Sequence, residues 1–513
     1  MRIHSLSRSC GFCLPVVALF FGALSLVSCE RSFIVSIEPP AARAVFDTTL
    51  REAGASPLLV DGEPVLPGPV SRRNREAVFT LELEGWEPAR VTAVSASALR
   101  ETGVTISLAP LLYELAIEVV NGESAILIDG AACDGFSEGG GKALLAYGKR
   151  RITLVRDGYA EQSIDIHLDA PRSLRLKHQK DAGPARSIGL FSTGSQPKQV
   201  AFTPDGSHLV VPLLNDVGFD YIAFEGALRG EASAYARITA PDAEKKGYVE
   251  PLLLADTGSL WISQMTTGMI HEYRLPPVGG APSAAEDPAF LRTVSARGSW
   301  TKVMASDPAR RWIAVSNWLT NDVVILDRET GAFVKKLINL KIPRGLAFSK
   351  DGSSLFVASY DGDTLYCFST ETWKESKRFV RAGAAMRHIV LSPDGASLFV
   401  NDMRHSRIFR LSTADLALEK QYRVPDWNPN TIDLDPAGRR LFVSCRGPNN
   451  PESYLLRSPR DGNVYIIDVE TGDVIQTLVG GNQPTGLDVS DDGRYLAFTN
   501  FLDDTVEVYA LND

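Results

Sequence analysis

From about residue 186 onward, short apolar runs alternate with tight polar turns, and no helical period is sustained. The plainest stretch is Pro343–Val380. It runs Pro343-Arg-Gly-Leu-Ala-Phe348, a turn at Asp351-Gly352, Leu355-Phe-Val-Ala-Ser359, Thr364-Leu-Tyr-Cys-Phe368 and Glu375-Ser-Lys-Arg-Phe-Val380. That pattern predicts four β-strands joined by turns. Aligned on the turn between first and second strands, the chain offers Gly206, Gly258, Ala309, Gly352, Gly395, Gly438 and Gly493, hence seven units. The central intervals are 43 residues each. A fixed period in this range with four strands per unit predicts an all-β fold, a seven-bladed β-propeller over residues 186–513. A Pro precedes the turn at Pro197, Pro343, Pro429 and Pro484, and Trp300 and Met386 take its place in two units. The last unit stops after Val506–Leu511. Because Gly194-Ser-Gln-Pro197 matches Gly481-Asn-Gln-Pro484, Arg186–Phe191 is expected as the missing fourth strand, closing the circle without an open edge.

Residues 30–180 show the same strand-and-turn grain. Ile34–Ile37 and Ala44–Phe46 are expected as two strands around Pro39-Pro40, followed by Phe79–Glu84, the turn Gly85-Trp86, and Val104–Leu108. A second outline follows: Leu115–Val120, the turn Asn121-Gly122, Ala125–Asp129, Tyr147–Arg156, the turn Gly158-Tyr159 and Ser163–Leu168. Two small β-sandwich modules are therefore expected, over 29–109 and 110–178, with 179–185 as linker. Gly139-Gly-Gly-Lys142 lacks the second Gly-Lys-Ser/Thr and the following helix of a phosphate loop, and is expected as a hairpin loop.

The first 28 residues stand apart. Arg2 and Arg8 precede an apolar run, Leu14–Val27, that is too short for a membrane span and suits a secretory signal. The signal carries no acid, so its removal takes the net charge from −9 to −11, which argues against nucleic-acid binding. Cys133, Cys367 and Cys445 are scattered. Cys367 and Cys445 fall inside strands, as buried small apolar residues rather than a disulfide framework.

Leu26-Val-Ser-Cys29 resembles the bacterial lipoprotein signal box, which implies lipid modification of Cys29 and attachment to a membrane of the cell envelope, facing periplasm or cell surface. Asp129-Gly130, Gly158-Tyr159 and Gly85-Trp86 resemble the PEGA-type modules, which implies non-catalytic spacers. The recurring Pro…Pro-Asp-Gly…Leu-Phe-Val and Val-Ile-Leu-Asp…Thr-Gly runs resemble the YVTN-type propeller repeat. That resemblance implies that the segment entering each first strand, and the loop after each second strand, line one mouth of a central channel.

On that expectation the mouth carries Lys198, Trp300, Lys302, Trp318, Arg344, Arg387, His388, Arg404, Arg446 and Tyr454. Asp361 and Asp402 are expected to neutralise part of this charge. The insertion Gly447–Gly462 should overhang it. A basic mouth on an acidic protein predicts an anionic ligand or an envelope-protein partner. No Gly-x-Ser-x-Gly occurs, the histidines lack metal spacing, and the calcium-like run from Asp433 has Ser444 where a bidentate Glu belongs. No metal or cofactor is expected. The reading is a non-catalytic binding platform; a lactonase-like or other hydrolytic propeller is the alternative.

Overall fold

A computed structural model describes residues 31–53, 56–65, 69–72, 76–94, 102–241, 245–277 and 287–512. Cys29 and the signal-like segment lie outside the described residues. The described chain is nearly all β, and none of its helices is long and apolar enough to cross a membrane. It divides into two units, Met1–Leu111 and Leu112–Asp513.

The first unit departs from the sequence expectation. Pro40–Ala53 is an α-helix, not a turn and strand. Pro40 stands at the first helical position, where its missing N–H costs nothing, and Ala41, Ala42 and Ala44 favour helix. Ala42 and Phe46, one turn apart, are both fully buried in a core with Phe33, Ile37, Phe79 and Ile106. Burying Phe46 alone is worth about 2 kcal/mol. Arg31–Glu38 pairs in parallel with Thr102–Ser107 and antiparallel with Pro69–Arg72. A separate four-stranded sheet orders Glu63–Pro64, Leu58–Val60, Glu76–Leu81 and Ala89–Val94.

In the second unit, Leu112–Val119 pairs in parallel with Arg172–Leu176 and antiparallel with Gly140–Ala146. Gly148–Val155 lies between Ala125–Ile128 and Gln162–Leu168. The two four-stranded sheets share one core, centred on Leu115, Ile117, Ile152, Leu154 and Leu176. The glycine run forms a hairpin, with Phe136–Ser137 paired to Gly140–Gly141. A Cβ on Gly141 would lie 2.1 Å from the Gly135 carbonyl oxygen, so only glycine permits that approach. Lys177, His178 and Gln179 are buried, and Lys177 and Gln179 bond to the strand Thr505–Leu511.

Seven four-stranded antiparallel sheets follow. Their first strands are Ala201–Phe202, Tyr248–Leu254, Thr301–Ser306, Pro343–Phe348, Met386–Leu391, Pro429–Leu434 and Pro484–Val489. From the second sheet to the seventh, each first strand lies beside the next, and Pro484–Val489 lies beside Ala201–Phe202. This circular succession is β-propeller-like. The seventh sheet is completed by Ala185–Ser192 from the other end of the chain, antiparallel to Thr505–Leu511, as the Gly-x-Gln-Pro match predicts. Second strands such as Leu355–Ala358 are fully buried, because each sheet is covered on both faces, and this is why they read as unbroken apolar runs. Cys367, in the third strand Thr364–Ser369, and Cys445, in the second strand Arg440–Cys445, are buried free thiols.

One turn is shifted from its expected position. In the third sheet Arg310, not Ala309, takes the left-handed conformation (φ 63°) that Gly352 takes (φ 71°) in the fourth. Arg310 N–H bonds to the Asp307 carbonyl as Gly352 N–H bonds to that of Ser349. The whole first strand of that sheet therefore moves by one residue, so Thr301 rather than Trp300 occupies the place of Pro343.

Asp433 and Asp488 join neighbouring sheets. The Asp433 carboxylate accepts from the Val489 N–H and that of Asp488 from the Phe202 N–H, at 2.9 and 2.8 Å. Asp435 accepts from the Arg439 and Arg440 N–H groups, so the calcium-like run is a hairpin turn. Burial pushes Asp433 up to about 6, and burial with the charge of Asp433 raises Asp488 well above the carboxylate range. The native state thus holds more protons than the unfolded chain between about pH 4 and 6, and stability falls as pH rises through that window. We expect Asp433→Asn to flatten this slope, by an effect of order 1 kcal/mol. Thermal melts across pH 4–7 check it; an unchanged slope would refute the assignment.

Candidate ligand-binding site

One backbone motif recurs at the start of six of the sheets. Here the residue after the second strand donates its N–H to the carbonyl of the residue before the first. The pairs are Met265 to Gly247, Trp318 to Trp300, Tyr360 to Ile342, Met403 to Ala385, Arg446 to Asn428 and Phe501 to Gln483. Leu214 makes the same bond to Gln196 in the remaining sheet. Two sets of side chains are aligned by this motif. The residues two places after those acceptors include Lys198, Lys302, Arg344, Arg387, Asn430 and Thr485, all buried. The donors themselves supply Trp318, Tyr360, Met403, Arg446 and Phe501.

The two sets meet around a cavity of about 130 Å³ lined by Lys198, Lys302, Trp318, Arg344, Tyr360, Arg387, Met403, Arg446, Asn449 and Tyr454. Five of the ten are cationic, and none is a carboxylate or an imidazole. Lys302, Lys198 and Arg344 are only 3%, 6% and 9% exposed, and among the described residues their charged ends make no hydrogen bond or ion pair. Arg344 Nε is itself a buried donor without an acceptor. Arg387 donates to the Asn430 carbonyl at 2.7 Å and Arg446 Nε to Gln483 Oε1 at 3.0 Å, both neutral acceptors.

The cations rest on aromatic faces. The Arg344 guanidinium lies 3.8 Å from the Trp318 ring centre and Lys302 Nζ 5.4 Å from it. Lys198 Nζ lies 4.5 Å from Phe501, and Arg446 lies 5.2 Å from Tyr454. Such contacts return about 1–2 kcal/mol each, less than the cost of burying an ammonium without an anion. Burial, then repulsion from Arg446, holds the Lys198 ammonium well below its ordinary range; burial and Arg344 do the same to Lys302. Burial also presses down on Arg344, Arg387 and Arg446. A guanidinium keeps its proton, so the lysines carry the adjustment. Among the described residues, the carboxylate whose charge favours protonation of Lys302, Arg344 and Arg387 is Glu250.

The insertion Gly447–Gly462 brings Asn449 and Tyr454 to the cavity. It is held by Arg460 on the buried Asp426 and by the Ser458 N–H on Asn482 Oδ1 at 2.9 Å. Gln483 Nε2 donates to the Tyr454 carbonyl at 2.9 Å while its oxygen takes Arg446. Tyr454 thus faces the cavity, and Leu455 and Leu456 face solvent.

Of the ten sequence-selected residues, seven line the cavity: Lys198, Lys302, Trp318, Arg344, Arg387, Arg446 and Tyr454. Trp300 does not; at φ 57° it packs edge-on against Trp318, 5.3 Å between ring centres. Arg404 lies at the surface, 3.6 Å from Asp361 and bonded to the Gly383 carbonyl. Asp402 takes His405 and Arg407, so neither expected acid reaches the buried cations. The His388 imidazole is outside the lining, and burial lowers it to about 4, a neutral ring. Tyr360, Met403, Phe501 and Glu250 escaped the sequence reading. The first three follow a second strand just as Trp318 and Arg446 do, which is the signal that would have found them.

Antigen Lp49 of Leptospira interrogans serogroup Icterohaemorrhagiae serovar copenhageni (strain Fiocruz L1-130) is 36% identical over 374 residues, covering 70% of this chain and 78% of the relative. The chain belongs to the Lp49 antigen family. No family model matches it.

Proposed function

We propose that this protein is a surface-exposed, lipid-anchored envelope protein that binds an anionic ligand at one mouth of a seven-bladed β-propeller. The observation that carries the reading is the group of five buried cations around one cavity, three of them with charged ends that make no hydrogen bond among the described residues. Buried charge is retained in proteins when something pairs with it, and among the described residues Glu250 is the carboxylate that offsets these cations. The circular run of seven sheets supports the propeller, and the antigen relative supports surface exposure. Leu26-Val-Ser-Cys29 supports lipid attachment at Cys29, with the modules before residue 186 as spacers. A hydrolytic role finds less support, because no lining residue is a carboxylate or imidazole able to activate water.

An anion that binds only the native state raises its stability by mass action. At constant ionic strength, phosphate or sulfate in place of chloride should raise the melting temperature by several degrees. The triple substitution Arg344→Ala, Arg387→Ala, Arg446→Ala should abolish that rise. An equal rise in the triple variant would sink the reading.

A further inference from the structure

The five cations are not spread evenly. Lys198 and Arg446 share the rings of Tyr454 and Phe501, with Lys198 Nζ 6.0 and 4.5 Å and Arg446 5.2 and 5.8 Å from the two ring centres. Lys302 and Arg344 share Trp318. The cavity therefore has two poles, each a Lys–Arg pair braced on aromatic faces, with Arg387 the fifth cation. One negative charge would leave one pole uncompensated. The space of about 130 Å³ admits a compact anionic group.

Several lining residues have exposed apolar neighbours in the chain. Leu319, next to Trp318, is exposed, as are Leu455 and Leu456, which follow Tyr454. Trp427 is 63% exposed, and its carbonyl accepts from the Gly447 N–H, next to Arg446. Exposed apolar side chains adjoining the lining residues of a strongly cationic cavity suit a ligand that is charged at one end only.

Resting on the anion-binding reading above, we propose that the ligand is a phosphate monoester with an apolar substituent. Its dianionic phosphoryl group spans the two Lys–Arg pairs, and its substituent leaves past Tyr454 across Leu319, Trp427, Leu455 and Leu456. A soluble ester and a lipid with a terminal phosphate share this chemistry.

Calorimetric titration of the full chain at pH 7.5 with inorganic phosphate, butyl phosphate, octyl phosphate and octanoate tests it. Octyl phosphate should bind at least tenfold more tightly than inorganic phosphate and more tightly than octanoate. A dianion beside Lys198 and Lys302 favours the protonated amines that burial and like charge oppose, so any proton uptake on binding, seen as an enthalpy that varies with the buffer, should arise there. Lys302→Met should weaken octyl phosphate about ten- to a hundredfold and reduce the uptake. Trp427→Ser should lose the gain from chain length but not the binding of inorganic phosphate, and Arg404→Ala should change neither. Retention on phosphatidic acid vesicles would assign a lipid source, and octyl phosphate binding without retention a soluble one; either supports the proposal. If octanoate binds as tightly as octyl phosphate, or chain length has no effect, the monoester is wrong while anion binding stands. If no anion binds, both readings fall.

Discussion

Lys302→Met raises the stability of the ligand-free protein. Lys302 is almost fully buried, its amine makes no hydrogen bond or ion pair among the described residues, and it lies near Arg344, Arg387 and Arg446, with Glu250 offsetting them in part. Methionine keeps the length of the stem and its contact with Trp318 while removing an amine whose charged form is opposed by burial and by like charge. Replacing poorly compensated buried charge by an apolar side chain is worth about 1–4 kcal/mol, read here as a rise of several degrees in melting temperature. The pH dependence identifies the cause. The Lys302 ammonium loses its proton more readily in the folded than in the unfolded protein, so between its lowered native value and the ordinary lysine range the unfolded chain holds more protons. Stability therefore rises with pH through that window, and Lys302→Met flattens the rise. Thermal melts of both proteins at pH 7 and 10 decide the matter. A lower melting temperature for the variant at both values would mean that Lys302 holds the fold together rather than waiting for an anion.

Glu507→Ala has the opposite effect, and a larger one. Glu507 is 1% exposed and takes three groups: Lys177 Nζ at 2.7 Å, Asn500 Nδ2 at 2.7 Å and Tyr509 OH at 2.8 Å, with Gln179 Nε2 reaching Tyr509 OH at 2.7 Å behind it. Gln179 Oε1 also accepts from the Val479 N–H at 3.0 Å. This network fastens the segment after Arg172–Leu176 to the sixth and seventh sheets, just before Ala185–Ser192 enters as the outer strand. Removing the carboxylate leaves Lys177 charged and buried, at a cost of about 3–5 kcal/mol. Urea unfolding should show a clear drop in midpoint for Glu507→Ala. The paired change Lys177→Met with Glu507→Leu should recover much of it, because no charge is then stranded. A loss below about 1 kcal/mol in the single variant would show that the network is solvated and not structural.

The two lysines, Lys177 and Lys302, show what the chain pattern conveys and what it does not. Both are single cations in β-rich sequence, and nothing local separates the one locked to Glu507 from the one without an anion. That distinction depends on residues 330 positions away in one case and on neighbouring sheets in the other.

From residue 186 onward the strands, the seven units and the closing strand, expected at Arg186–Phe191 and found at Ala185–Ser192, followed from sequence alone, because alternation, Asp-Gly turns and apolar runs act over a few residues. Arg344, Arg387 and Lys198 were legible for the same reason, each standing one place after a Pro or its substitute. The helix Pro40–Ala53 was not legible, since it depends on Phe46 finding a core made by Phe33 and Phe79. Nor was the shift at Trp300, where one left-handed Arg310 moves Lys302 into register with Arg344. Pairing register decides which side chains point inward, and register is a property of strands meeting, not of either strand. The repeat determined where cations could stand; the meeting of seven sheets decided that five of them share one cavity, and that Arg404 and His388 do not.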